Sequence, residues 1–346
     1  MAKMKAVVFH APEDVRVDEV DRPEIVKPTD AIVKVTTSTI CGTDLHILHG
    51  EYHVKPGLII GHEFVGVVEQ VGTQVTKFKP GDRVAVSCIT QCGTCFYCKE
   101  GTYAHCVDGG WLFGNILDGA QAEYVRVPYA DIGMHLIPDE LEDEDVLFVG
   151  DILSTAYFGV ENARIKPGDV VAIVGAGPVG LCAIASAKLF GPSRIVAVGR
   201  KNFGRLEAAR ELGADEVILS ANEDPVQRIK ELTDGRGADV VIECVGGTSS
   251  YETAMSLVRP GGRVSLVGVF SKPVELPLEK LWDKNITLSW GLVNANRIPE
   301  LIQLIKGRKI SLRSLITHTF PLEDALKAYD VFDKKIDNAL KVVLKP

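Results

Sequence analysis

The chain has 346 residues, 46% hydrophobic and 24% charged, and 38 Lys and Arg against 46 Asp and Glu leave a net charge of −8. That length suits two domains, and the apolar share supports real cores, which excludes wholesale disorder. The acidic balance argues against nucleic acid or an anionic membrane as the main partner. There are eight cysteines, and four of them fall between Cys92 and Cys106. No basic-then-apolar leader precedes the strand-like run KAVVFH, so a cytoplasmic location is expected. Disulfides are rare there, and a tight cysteine cluster reads as a metal site.

The N-terminal part, about 150 residues, is rich in turn residues and short strands: KAVVF, AIVKVTTSTI, FVGVVEQV, RVAVS and AEYVRVP. The loop between the last two holds Cys92, Cys95, Cys98 and Cys106, spaced C-x2-C-x2-C-x7-C. Four thiolates that close a tetrahedron and leave no open position describe a structural zinc site. An iron–sulfur cluster and unliganded thiols are the competing readings of this spacing.

After Pro167 the pattern alternates. VVAIV leads into an Ala-rich helix, RIVAVG into a helix through Leu206–Leu212, EVILS into one near Val226–Leu232, and DVVIECV into one from Tyr251; RVSLVGV and ITLSWG follow. Strands alternating with helices at this spacing predict a doubly wound parallel sheet. The uncharged stretch Val170–Ala187 is a strand, a Gly/Pro turn and a helix rather than a membrane span. IPELIQLIKG and a segment near Leu322–Phe332 read as helices, and ALKVVLK as a last strand. These elements can complete the sheet domain or return to the first one.

Gly175, Gly177, Pro178, Val179 and Gly180 belong to a G-x-G-x-x-G turn that follows a strand and opens a helix. In that context the first glycine permits the turn, the second admits a pyrophosphate, and the third lets helix and strand pack closely. An NAD site has an acid at the end of the next strand, whereas here the strand ends in Gly199, followed by Arg200, Lys201 and Arg205. Cations without a carboxylate suit a 2′-phosphate, so NADP is expected ahead of NAD. The alternatives are a nucleotide-free turn and solvated surface cations.

Cys41-Gly42-Thr43-Asp44-Leu45-His46, Gly61-His62-Glu63, Gly81-Asp82-Arg83-Val84, the cysteine loop and the glycine turn together resemble the zinc-dependent alcohol dehydrogenases of the medium-chain dehydrogenase/reductase superfamily. The resemblance runs nearly end to end. It implies an α/β protein with a GroES-like β-rich catalytic domain, 1–151 and 293–346, and a Rossmann NADP-binding domain, 152–292. It also implies a catalytic zinc held by Cys41, His62 and Asp151, hence two zinc ions per subunit, with an open fourth position.

Asp44 and Glu63 then lie behind the ligands, and Thr43 passes a substrate proton to His46. Thr155, Val267 and Val269 match positions beside the nicotinamide, and Lys341 matches a cation that reaches the pyrophosphate. Trp111 is a candidate wall of the substrate pocket or a core aromatic. Asp151 resembles the bacterial secondary-alcohol branch, which usually lacks the cysteine loop. The expected substrate is a small alcohol, aldehyde or ketone and the expected assembly a homotetramer. A threonine- or polyol-type dehydrogenase and a non-catalytic member are the alternatives.

Overall fold

The computed structural model describes residues 2–201 and 204–346. The chain divides into two compact units, Met1–Ser154 with Asn294–Pro346, and Thr155–Val293. The first boundary falls inside the helix Ile152–Asn162.

The first unit is built on a sheet of seven strands. Its order is Ile316–Pro321, Lys341–Lys345, Ala31–Thr39, Phe64–Val71, Arg83–Val86 and Met134–Leu136, with Tyr124–Val127 also paired to Ala31–Thr39. The C-terminal strand Lys341–Lys345 lies antiparallel to Ala31–Thr39, so the tail belongs to this unit. β-Branched residues on one face of Ala31–Thr39 and Phe64–Val71 pack with Phe64, Phe78, Phe113 and Met134. A second core joins Phe9, Ile40, Ile47 and Ile60 to the helix Ala325–Lys334 through Ala328, Tyr329 and Phe332. An antiparallel hairpin, Lys3–Ala11 with Asp14–Asp21, was only half foreseen. Its second strand carries four acids, Asp14, Asp18, Glu19 and Asp21, which lower strand propensity.

The second unit has six parallel strands in the order Glu216–Leu219, Arg194–Gly199, Val170–Val174, Ala238–Glu243, Val258–Leu266 and Thr287–Trp290. Numbered along the chain this is 3-2-1-4-5-6, the doubly wound order that binds dinucleotides where the winding reverses, beside Val170–Val174. That strand is buried at all five positions, as a central parallel strand requires. Among the described residues, no helix is long and apolar enough to cross a membrane.

Candidate active site

The first unit brings Cys41, His62 and Asp151 together from three distant segments. Cys41 sits where the strand Ala31–Thr39 gives way to the helix Gly42–Leu48, His62 just before Phe64–Val71, and Asp151 just before Ile152–Asn162. The His62 Nε2 is 3.2 Å from Asp151 Oδ2, and the Cys41 Sγ is 3.5 Å from the same oxygen. All three ligand atoms lie within 4.8 Å of one another. One sulfur, one nitrogen and one oxygen, with no fourth ligand grouped with them among the described residues, suit a catalytic zinc site rather than a structural one. The electrostatics agree. Burial works against a charged His62, yet Asp151, Cys41 and Asp44 raise its pKa well above the ordinary value. Burial also raises Cys41, with Asp151 adding to it, so the pocket demands a cation.

Behind His62, Asp44 is fully buried, and its Oδ1 lies 3.5 Å from His62 Nδ1. Asp44 thus faces the rear of the imidazole, on the side away from Asp151, and neither facing atom has a hydrogen-bond partner among the described residues. Thr43 and His46 are three residues apart on one face of Gly42–Leu48. The Thr43 hydroxyl is 3.8 Å from the Cys41 sulfur. His46 is part-exposed and meets Glu51 Oε2 at 2.5 Å. The Trp111 ring stands edge-on to His62, with centroids 5.9 Å apart, and packs on Tyr52 at 5.0 Å. It therefore walls the metal centre and is not a core aromatic.

Lys341 requires a correction. The resemblance matched it to a cation that reaches the cofactor's pyrophosphate. Its side chain is 1% exposed, and its ammonium donates to Glu63 Oε2 at 2.7 Å and to the Ile40 carbonyl at 2.9 Å. A buried charge must take its partner from within reach, and Glu63, also buried, is that partner. Burial would lower the Lys341 pKa, but Glu63 and Cys41 hold it above the ordinary value. The second oxygen of Glu63 accepts the Ile152 N–H at 3.3 Å, so Glu63 ties the segment after Asp151 to the C-terminal strand.

In the cysteine loop the four sulfurs lie within 4.8 Å of one another, with Cys92 Sγ and Cys98 Sγ 4.0 Å apart. A tetrahedron with Zn–S bonds of about 2.3 Å has S···S edges of about 3.8 Å, so the cage fits a zinc ion. The loop has little core of its own: Phe96 is 71% and Val107 74% exposed. Burial opposes ionisation of Cys92, but hydrogen bonds from Thr94 and from the Cys95 N–H lower it to about 6. Burial pushes Cys98 up to about 12. Four thiolates therefore coexist only around a cation, and metal uptake releases protons.

In the second unit the glycine turn joins the strand Val170–Val174 to the helix Pro178–Ala187. Gly175 has φ +102°, open to glycine at little cost. A Cβ on Gly180 would fall 1.8 Å from the Gly175 carbonyl oxygen, the close helix–strand approach. A Cβ on Gly177 would meet only an Arg205 nitrogen at 3.9 Å, so the space beside it is free for a ligand. The helix Pro178–Ala187 starts there, with Pro178 and Val179 in its first turn. Gly180→Ala should lower stability by about 3 kcal/mol through overpacking. Gly177→Ala should keep the fold and weaken cofactor binding about tenfold. Thermal melts and titration with a nicotinamide dinucleotide read the two effects separately, and equal melting losses would refute the division of roles.

Gly199 ends the strand Arg194–Gly199, Arg200 and Lys201 are exposed after it, and Arg205 opens the helix Arg205–Leu212. The buried Nε of Arg205 has no partner among the described residues. Thr155 lies in Ile152–Asn162, and Val267 and Val269 follow the strand Val258–Leu266, with Val269 56% exposed.

Three buried residues at the metal centre escaped the sequence reading. Cys88 is buried beside Asp151, and burial together with that carboxylate's charge holds its thiol well above the ordinary range. Gln121 bonds to Asp44 and to Tyr329. Gln121 is a lone amide in the small-residue run GAQA, the one local sign that a polar partner waits inside.

Residues 27–139 match the family model of the alcohol dehydrogenase GroES-like domain, and residues 178–307 that of the zinc-binding dehydrogenase. An alcohol dehydrogenase of Cupriavidus necator is 40% identical, covering 100% of this chain and 99% of its own. Zinc-dependent alcohol dehydrogenase 2 from Streptococcus pneumoniae superposes with a TM-score of 0.94 at 43% identity, over 99% of this chain and 98% of its own. An alcohol dehydrogenase from Thermus sp. ATN1 does so with a TM-score of 0.93 at 44% identity, over 99% of each chain.

Proposed function

Because the chain belongs to the zinc-dependent alcohol dehydrogenases of the medium-chain dehydrogenase/reductase superfamily, we propose that it interconverts small secondary alcohols and ketones, and next primary alcohols and aldehydes, with NADP. The observation that carries the reading is the convergence of Cys41, His62 and Asp151 beside the Thr43–His46 face. When bound, zinc supplies Lewis acidity toward the substrate oxygen and the nicotinamide exchanges hydride with the adjacent carbon.

The chain's own residues do the rest. Thr43 takes the hydroxyl proton and hands it toward His46, whose contact with Glu51 leads it to solvent. Asp44 orients His62, and Trp111 with Tyr52 closes one side of the metal centre to water. Gly177 leaves room for the pyrophosphate at a helix N-terminus.

The NADP preference is supported by the missing acid at Gly199 and by the half-buried Arg205, whose Nε has no partner among the described residues. Gly199→Asp should shift the kcat/KM ratio of NADP to NAD by about 100-fold toward NAD. The new Cβ would stand 3.1 Å from Leu206 Cδ2, the tip of a side chain that can yield. Equal kcat/KM for the two cofactors in the unmodified protein would sink the assignment.

Cytoplasmic residence is part of the proposal, since thiolate ligands need a reducing compartment. So is a homotetramer, supported by Trp282 and Trp290, 78% and 70% exposed, the latter on the terminal strand of the parallel sheet. The test is NADPH formation with 2-propanol, 2-butanol, ethanol, threonine and sorbitol, before and after chelation. Turnover only with threonine or sorbitol would move the chain to that type. No chelator-sensitive turnover with any of them would overturn the reading.

A further inference from the structure

We infer that Gln121 and Tyr329 are positioning residues for the catalytic metal, acting through Asp44 on His62. The inference rests on the reading of Cys41, His62 and Asp151 as a zinc site. Three residues far apart in sequence form one buried chain. The Tyr329 hydroxyl, on the helix Ala325–Lys334, donates to Gln121 Oε1 at 2.8 Å. The Gln121 amide Nε2 donates to Asp44 Oδ2 at 3.0 Å, and the Cys41 N–H donates to the same oxygen at 2.8 Å. Asp44 and Gln121 are fully buried and Tyr329 is 3% exposed, so water does not compete for these bonds.

The chain has a direction. An ionised carboxylate only accepts, so Gln121 must face Asp44 with its NH2 group. Its oxygen then points the other way and needs a donor, which is the Tyr329 hydroxyl. The carboxylate thus sets which way the amide is turned, and the hydroxyl, by donating, satisfies and holds its buried oxygen end. With the amide reversed, two oxygens would meet at Asp44. With the amide as seen, Oδ2 is held by two donors and Oδ1 is left facing His62 Nδ1 at 3.5 Å. Neither Oδ1 nor Nδ1 has a hydrogen-bond partner among the described residues, so each is the other's available partner, and a proton held on Nδ1 toward Oδ1 would leave Nε2 to the metal.

A second contact fixes the amide laterally. A Cβ on Gly61, the residue before His62, would lie 2.5 Å from Gln121 Cγ, so Gln121 packs directly on the backbone that carries the ligand. The backbone of Gln121 is itself pinned, donating to the Ile60 carbonyl at 3.0 Å and accepting from the Val7 N–H at 2.8 Å. An apolar side chain of equal length at 121 would fill the space and leave Asp44 with one donor. Packing and positioning are thus separable by substitution.

The test uses the full-length zinc enzyme with Gln121→Met, Tyr329→Phe and the double variant. The readout is release of each zinc to a chelator, with the cysteine-loop zinc as an internal reference, and the visible spectrum after cobalt replaces the catalytic zinc. Gln121→Met should speed loss of the catalytic zinc about tenfold and shift the cobalt bands, with the loop zinc unchanged. Tyr329→Phe should do the same to a smaller degree. The double variant should equal Gln121→Met alone, because the hydroxyl acts only through the amide.

Unchanged zinc release and spectra in both single variants would overturn the inference. Parallel loss of both zinc ions with a falling melting temperature would also overturn it, since that is a merely structural role. Additive effects in the double variant would remove Tyr329 from the chain. A wild-type protein that binds zinc only in the cysteine loop would instead overturn the catalytic-zinc reading itself. None of these readouts needs a substrate, so a failure of the alcohol reading shows separately, in the substrate panel.

Discussion

His62→Ala should lower kcat/KM for alcohol oxidation by about 10³- to 10⁴-fold, while the melting temperature changes little. The size follows from the several kcal/mol that a metal contributes to charge stabilisation, at about 1.4 kcal/mol per tenfold in rate. The remaining pair, Cys41 and Asp151, offers one sulfur and one carboxylate, 3.5 Å apart, without the imidazole that Asp44 orients. Two ligands do not hold a zinc ion in a three-ligand geometry. Affinity for the nicotinamide cofactor should stay within about threefold, because the glycine turn belongs to the other compact unit. Turnover within tenfold of the unmodified enzyme would remove His62 from the metal centre.

Lys341→Met should destabilise the protein by about 3–5 kcal/mol. The ammonium and the Glu63 carboxylate are 1% and 0% exposed, and they are 2.7 Å apart. Removing the cation leaves a carboxylate in an apolar setting beside Phe148, with Asp151 as a further negative neighbour. The companion change separates charge from packing. In Glu63→Gln/Lys341→Met the amide still accepts the Ile152 N–H and carries no charge, so more than half of the lost stability should return. Denaturant melts of the two variants measure this. Equal losses in the single and double variants would show that shape, not charge, is what Lys341 supplies.

The sequence was most legible where local geometry dictates residue type. The glycine turn is such a place: a positive φ at Gly175 and the missing Cβ at Gly180 are backbone demands that only glycine meets. The cysteine loop is another, because its four ligands come from one short segment. The catalytic trio comes from three segments whose spacing carries no period, and it was reached through the family resemblance alone. Lys341 shows the opposite failure. Its number and charge matched a phosphate-binding cation, but its place in the buried strand Lys341–Lys345 turns the ammonium inward to Glu63. Strand direction and the identity of the neighbour at 63 decide that, and neither is visible near position 341. Gln121 and Tyr329 were missed for the same reason, since each is ordinary until the fold sets it against Asp44.

The central claim is that one chain holds two zinc ions by different means, a closed set of four thiolates and an open set of Cys41, His62 and Asp151. The most direct measurement is the zinc content per chain of the purified protein, repeated on His62→Ala. Two ions falling to one, with turnover lost and the fold kept, is the predicted result. One ion in the unmodified protein, undiminished by His62→Ala, would contradict it.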